Sequence, residues 1–162
     1  FGSIVPGSFA PAARIARMDL SAIAALAGLF AAAFGAATIL PFQSEVVFAG
    51  LVLAETAPNW LILAVASVGN TLGSVVNWVM GRFVEHFHGR RWFPVTEAQL
   101  ERAQRWYARW GVWTLLLSWA PFGDGFTVVA GIMRTPLALF TIIVGAVKTA
   151  RYAALLWAMQ AG

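Results

Sequence analysis

The chain has 162 residues, 60% of them apolar and 11% charged, against about half and about a quarter in ordinary soluble domains. A soluble fold with so little charge could not solvate its surface, so the solvent that suits this sequence is a bilayer. The net charge of +4 is uneven: six of the eleven basic residues lie between Arg82 and Arg109. That pattern fits a loop facing anionic lipid, shows no spacing used to bind nucleic acid, and in a cysteine-free chain leaves no disulfide or thiolate metal site.

Residues 1–17 are rich in Pro, Gly, Ser and Ala, and the hydrophobic pattern opens at Met18. They are read as an extension, non-native or disordered, ahead of a single transmembrane domain over 18–162. The rival reading is a secretory signal with Arg14 and Arg17 as its basic region. The apolar run 20–40 is longer than a signal core and long enough to span, which favours a retained helix. The run 42–54 carries Glu45 and is too short to cross, whereas 59–80 crosses. Residues 81–110 are polar and basic. The run 111–133 is broken by Pro121-Phe122-Gly123-Asp124-Gly125, and 137–159 crosses while holding Lys148 and Arg151.

Two stretches repeat. LPFQSEVVFAGL (40–51) aligns with APFGDGFTVVAGI (120–132) with one gap: Pro41 and Pro121 are each followed by Phe, an acid and then Ala-Gly. In each half a second proline, Pro58 or Pro136, precedes the crossing helix, where its missing N–H is harmless. The expected fold is therefore all-α: an inverted repeat of re-entrant hairpin plus transmembrane helix, with an additional N-terminal transmembrane helix. Placing the basic stretch, Arg14, Arg17 and Arg134 in the cytoplasm puts the N-terminus inside and the 54–59 turn outside. Within the basic stretch, Thr96 and Gln99 predict a capping box. The helix that follows carries Leu100, Ala103, Trp106, Tyr107 and Trp110 on one face and Glu101, Arg102, Arg105 and Arg109 on the other, as in a helix lying among headgroups or docking on a neighbour.

Glu45, Asp124, Lys148 and Arg151 fall in apolar surroundings. Each would oppose insertion by about 2.5–3.5 kcal/mol if unpaired, so the two acids and two bases are expected to pair near the midplane. The functional reading is a transport site with a titratable carboxylate and a cationic anchor; the alternative is a structural ion-pair cluster. Gly69, Asn70, Gly73 and Asn77 share a small-xxx-small helix and are expected to pack or line it. Arg82 closes that helix, and Gly123 and Gly125 break the second hairpin. His86 and His88 have no third ligand nearby, so no metal site is expected. No nucleophile–base set or phosphate loop is present, so no enzyme, catalytic residue or cofactor is expected.

LPFQSE, GNTLGSVVNWVMGR, WGVWTLLLSWAPFGDGFTVVAGIMR and FTIIVGAVKTARY, in that order, resemble the DedA family of bacterial membrane proteins, in particular its short YqaA-like branch, within the SNARE-associated or VTT-domain group. The resemblance runs from about Met18 to Tyr152. It implies two inward-dipping hairpins, a multi-pass protein of the bacterial plasma membrane, and proton-coupled transport or lipid flippase or scramblase activity on membrane lipids, including an anionic polyprenyl-phosphate carrier. Structural envelope maintenance without transport is the alternative, and oligomeric state, a homo-oligomer included, is left open. Glu45 matches the family's first-hairpin acid and Arg82 its Gly-Arg element. The family's Arg-Phe-x-Pro-x-x-Arg pattern is missing: its first arginine falls at Ser118 and its second at or beside Gly123-Asp124. Lys148 and Arg151 are the cations left to supply that charge.

Overall fold

A computed structural model describes residues 15–16, 18–38, 43–83, 96–120 and 123–162. Pro41, Pro121, His86, His88, Arg90 and nearly all of the 1–17 segment, Arg14 and Arg17 included, lie outside them. The described elements are all helical. They are α1 (Leu20–Thr38), α2 (Gln43–Leu53), α3 (Asn59–Arg82), α4 (Glu97–Trp110), a 3-10 segment (Gly111–Trp119), α5 (Asp124–Ile132) and α6 (Leu137–Ala161). Helices α1, α3 and α6 are long and apolar enough to cross a membrane.

Local chemistry accounts for the helix starts. The Asp19 carboxylate accepts a hydrogen bond from the Ala22 N–H (2.9 Å) and caps α1. Pro58 and Pro136 occupy the caps of α3 and α6. In the expected capping box, Thr96 Oγ1 accepts from the Gln99 N–H, and Gln99 Oε1 accepts from the Thr96 N–H. The 3-10 winding of 111–119 was not foreseen; it starts at Gly111, whose φ of 59° ends α4.

The arrangement corrects the expected alternation of ends. Helices α1 and α3 run parallel, because Gly69 abuts the Phe30 carbonyl and Gly73 the Phe34 carbonyl, four residues further along both helices. A Cβ on Gly69 would stand 2.8 Å from Phe30 O, so the two backbones meet only through glycine. Helix α2 turns back along α1, and residues Glu55–Pro58 surround a small cavity with Met18, Asp19 and Ala22. The 54–59 turn and the start of α1 therefore lie at one end, not opposite ends. The N-terminal helix α1 is itself long and apolar enough to cross, and it packs on both α2 and α3. The arginines do not all share an end with the start of α1 either. Arg82 and Arg134 are at the far end, where Trp78 Nε1 donates to the Thr135 carbonyl (3.1 Å) and Gly131 presses on the Trp78 carbonyl.

Two apolar clusters fill the interior, one around Leu29, Phe48, Ile62, Ala66 and Tyr152, the other around Leu115, Val128, Val129, Phe140 and Val144. The α4 face divides: Ala103 and Tyr107 are buried in the second cluster, while Trp106, Trp110 and the arginines stay exposed. The outside of the bundle is apolar as well. Val46 is 75% and Ile142 69% exposed, which in water would be a large uncovered patch and in lipid is the ordinary surface.

Candidate functional site

Helices α2 and α5 begin deep in the bundle, and each carries its acid in its first turn, Glu45 in α2 and Asp124 in α5. The unpaired N–H groups and partial positive charge of a helix start favour a carboxylate there. Both acids face α6. Asp124 Oδ1 accepts from Lys148 Nζ at 3.0 Å, and the Arg151 guanidinium pairs with Glu45. Lys148 and Arg151 are one turn apart, so a single stripe of α6 meets the starts of two short helices from different parts of the chain.

The two pairs differ in access. The Lys148 side chain is 2% exposed and its partner Asp124 23%, whereas Arg151 and Glu45 keep 22% and 31%, so the difference lies in the cations. An ammonium as enclosed as that of Lys148 is tolerable only because Asp124 holds it; the second pair is open on one side.

Polar side chains connect these pairs to α3. Tyr152, beside Arg151, donates to Ser44 Oγ (2.9 Å) and accepts from Asn70 Nδ2 (3.0 Å), tying α6 to α2 and α3. Asn77 Nδ2 donates to the Ala37 carbonyl (2.8 Å) and to Thr127 Oγ1 (3.1 Å), and Thr127 Oγ1 donates to the Asp124 carbonyl. Three buried oxygens on this face of α3 have no hydrogen-bond partner among the described residues, namely Ser67 Oγ, Asn70 Oδ1 and Asn77 Oδ1. Such atoms in an otherwise well-packed helix are where bound water belongs.

The structure gathers Glu45, Asp124, Lys148, Arg151, Asn70 and Asn77 into this centre. Gly69 and Gly73 serve the α1–α3 contact instead. Gly123 sits where a side chain would run into the Leu117 carbonyl, and Gly125 is buried beside it. Arg82 is elsewhere: it is exposed at the far end of α3, with its guanidinium 5.7 Å from the Trp78 ring. Ser118, where the family pattern has an arginine, is buried and its hydroxyl has no hydrogen-bond partner among the described residues, so the position is too enclosed for a lone cation. Sequence reasoning passed over Tyr152, Ser44 and Thr127. A tyrosine next to an arginine inside an apolar run was the one visible signal, since a buried phenol needs a partner. Among the described residues no cluster of His, Asp and Glu could hold a metal ion.

Relatives of the chain are known by sequence. It is 39% identical over 116 residues to the inner membrane protein YqaA of Escherichia coli (strain K12), covering 71% of this chain and 77% of that protein, and equally so to the YqaA of Shigella flexneri. An uncharacterized protein of Haemophilus influenzae is 31% identical over 137 residues, covering 80% of this chain and 83% of its own length. No family model and no solved structure matches significantly.

Proposed function

The chain belongs to the YqaA-like branch of the DedA family and is a multi-pass protein of the bacterial inner membrane, and from that premise we propose that it moves an anionic lipid or solute across that membrane with protons as the coupling ion. The observation behind this reading is the convergence of two short-helix starts, each with a carboxylate, on one cationic turn of α6. Interrupted helices whose starts meet near the midplane form the binding sites of many secondary transporters. A pair of buried charges far from either end is costly to insert and belongs by default to function.

In this reading α1 with α2 is a hairpin entering from the Met18 end, and the 3-10 segment with α5 is a hairpin entering from the Arg82 end. Each is followed by a crossing helix, α3 or α6, and the two units are inverted. The Arg82 end faces the cytoplasm, because Arg82 and Arg134 belong to it while Asp19 and Glu55 are at the other. Trp60 and Trp157 near one end and Trp110 and Trp113 near the other, all exposed, fit interfacial anchors.

Reconstitution tests the function. Liposomes holding the protein should move a fluorescent polyprenyl phosphate or phospholipid faster than empty ones, and faster still with a pH gradient imposed. Equal rates with and without protein would refute transport and leave the four charges a structural role. For topology, single cysteines placed at Thr56 and Arg109 should react with an impermeant thiol reagent from opposite sides.

A further inference from the structure

The two short helices also end alike. In both, the second residue past the helix, Glu55 after α2 and Arg134 after α5, has a positive φ, 49° and 57°. The same turn closes around each. The Thr56 N–H donates to the Leu51 carbonyl (3.2 Å), and the Thr135 N–H to the Ala130 carbonyl (2.9 Å). The Glu55 N–H donates to the Val52 carbonyl (3.2 Å), and the Arg134 N–H to the Gly131 carbonyl (3.1 Å). Such a turn usually takes glycine at its left-handed position, because a side chain there crowds its own backbone. Both positions instead carry an exposed charged residue, of opposite sign at opposite ends of the bundle. The turn therefore fixes the backbone but not the charge, and a bulky residue kept in this conformation points to a use for its side chain.

More positive charge is gathered around Arg134. Thr135, 5% exposed, is the node. Its carbonyl accepts from Trp78 Nε1 (3.1 Å), and the Arg82 guanidinium lies over that same indole. Its hydroxyl is hydrogen-bonded to the Tyr107 hydroxyl, which ties the last turn of α4 to the same place. Arg109 follows in that turn, with its guanidinium 5.7 Å from the centre of the Trp110 ring. Arg82, Arg109 and Arg134 are exposed, and none has an ion-pair partner among the described residues. A guanidinium over an aromatic face keeps N–H donors free for an anion. The Glu55 end has the reverse charge, with Asp19 lining the same small cavity.

We propose that Arg82, Arg109 and Arg134 form a docking surface for the anionic lipid headgroups of the leaflet at that end, with Arg134 held out toward them by its turn. Lipid phosphate is the occupant because the cations come with exposed tryptophans: Trp110 is 54% and Trp113 71% exposed. Indoles settle at the headgroup level, and arginines beside them meet phosphate oxygens in two-point contacts. A soluble anion would gain nothing from that aromatic rim. This surface is separate from the charged centre and holds whether or not the protein transports anything.

Single cysteines in this cysteine-free chain test it. The full chain is placed in phosphatidylcholine nanodiscs with a fluorophore on Met133→Cys or Thr56→Cys. Quenching is compared between phosphatidylglycerol and phosphatidylcholine, each spin-labelled high on an acyl chain. At position 133 phosphatidylglycerol should be favoured by about fivefold or more, the size of effect one surface arginine has, and at position 56 it should not be favoured. Arg134→Gln should lower the preference at position 133 about fivefold, and Arg134→Lys should keep most of it. Arg134→Gly separates charge from shape. It relieves the left-handed backbone, so its unfolding temperature in neutral detergent should hold or rise while the lipid preference falls as in Arg134→Gln. Equal use of the two lipids at position 133, or wild-type preference in Arg134→Gly, would overturn the surface. A lowered unfolding temperature in Arg134→Gly would make the side chain structural and overturn it too. A preference that inorganic phosphate abolishes at constant ionic strength would mark a soluble-anion site, and shielding of position 133 from both lipids would mark a protein partner. Either result overturns the lipid assignment.

Discussion

The two short helices begin alike and end up in different surroundings. Each opens with a carboxylate in its first turn, and each carboxylate meets a cation on the same turn of α6. Asp124 holds a lysine that has lost almost all contact with the exterior, behind the 3-10 segment and α5. Glu45 holds an arginine that still lines a groove on the lipid side. The difference lies in what surrounds each pair. Around Asp124 the helices touch backbone to backbone: Gly81 presses on the Val128 carbonyl and Gly131 on the Trp78 carbonyl. Beside Arg151 the neighbouring wall is the 3-10 segment, which leaves room along α6. One cation is thereby enclosed and the other left accessible.

The largest effect that would break this contrast is at the closed pair. Asp124→Asn leaves Lys148 charged and enclosed and should cost about 3–5 kcal/mol, while Asp124→Asn/Lys148→Met should recover most of it. Thermal unfolding in detergent of the single and double variants measures both. Losses that simply add would mean that the two residues do not depend on each other. Next comes the helix contact. Gly131→Val forces α5 off α3 and should cost about 1–3 kcal/mol or more, and activity should fall in step with folded yield. Tyr152→Phe leaves Asn70 and Ser44 short of a partner at about 1–3 kcal/mol, read in the same unfolding assay. A smaller effect is expected at the open pair, where Glu45→Gln leaves a partly exposed arginine and should cost less stability than Asp124→Asn while removing the pH dependence of transport. A loss as large as that of Asp124→Asn would erase the distinction between the pairs.

The smallest effect is at the surface. The Ala22 N–H, and then the Ser21 hydroxyl, hold the Asp19 carboxyl below the usual carboxylate range. A carboxyl that titrates lower when folded stabilises most above its unfolded value, and its contribution fades as pH falls through the lowered folded value. The protection of the amides in the first turn of α1, taken relative to intrinsic exchange at the same pH, should therefore fall in acid, and in Asp19→Asn that protection should lose its pH dependence. An unchanged acid response in the variant would mean that Asp19 is not the group responsible.

Composition and period alone determined much of this protein. Long apolar runs with few charges can only be membrane helices, because a backbone in lipid must satisfy its own hydrogen bonds, and the chain's three long helices follow from that. The pairing of Glu45 and Asp124 with Lys148 and Arg151 was legible from sign and number, since four unpaired charges would not insert. Pattern could not tell which end of α1 lies beside which turn. A hydrophobic run reads the same in either direction, and the parallel packing of α1 and α3 is decided by Gly69 and Gly73 meeting carbonyls more than thirty residues away. Nor could it rank the two ion pairs. Exposure of Arg151 and enclosure of Lys148, one turn apart on one helix, depend on what packs around that turn, and only the tertiary structure brings those neighbours together.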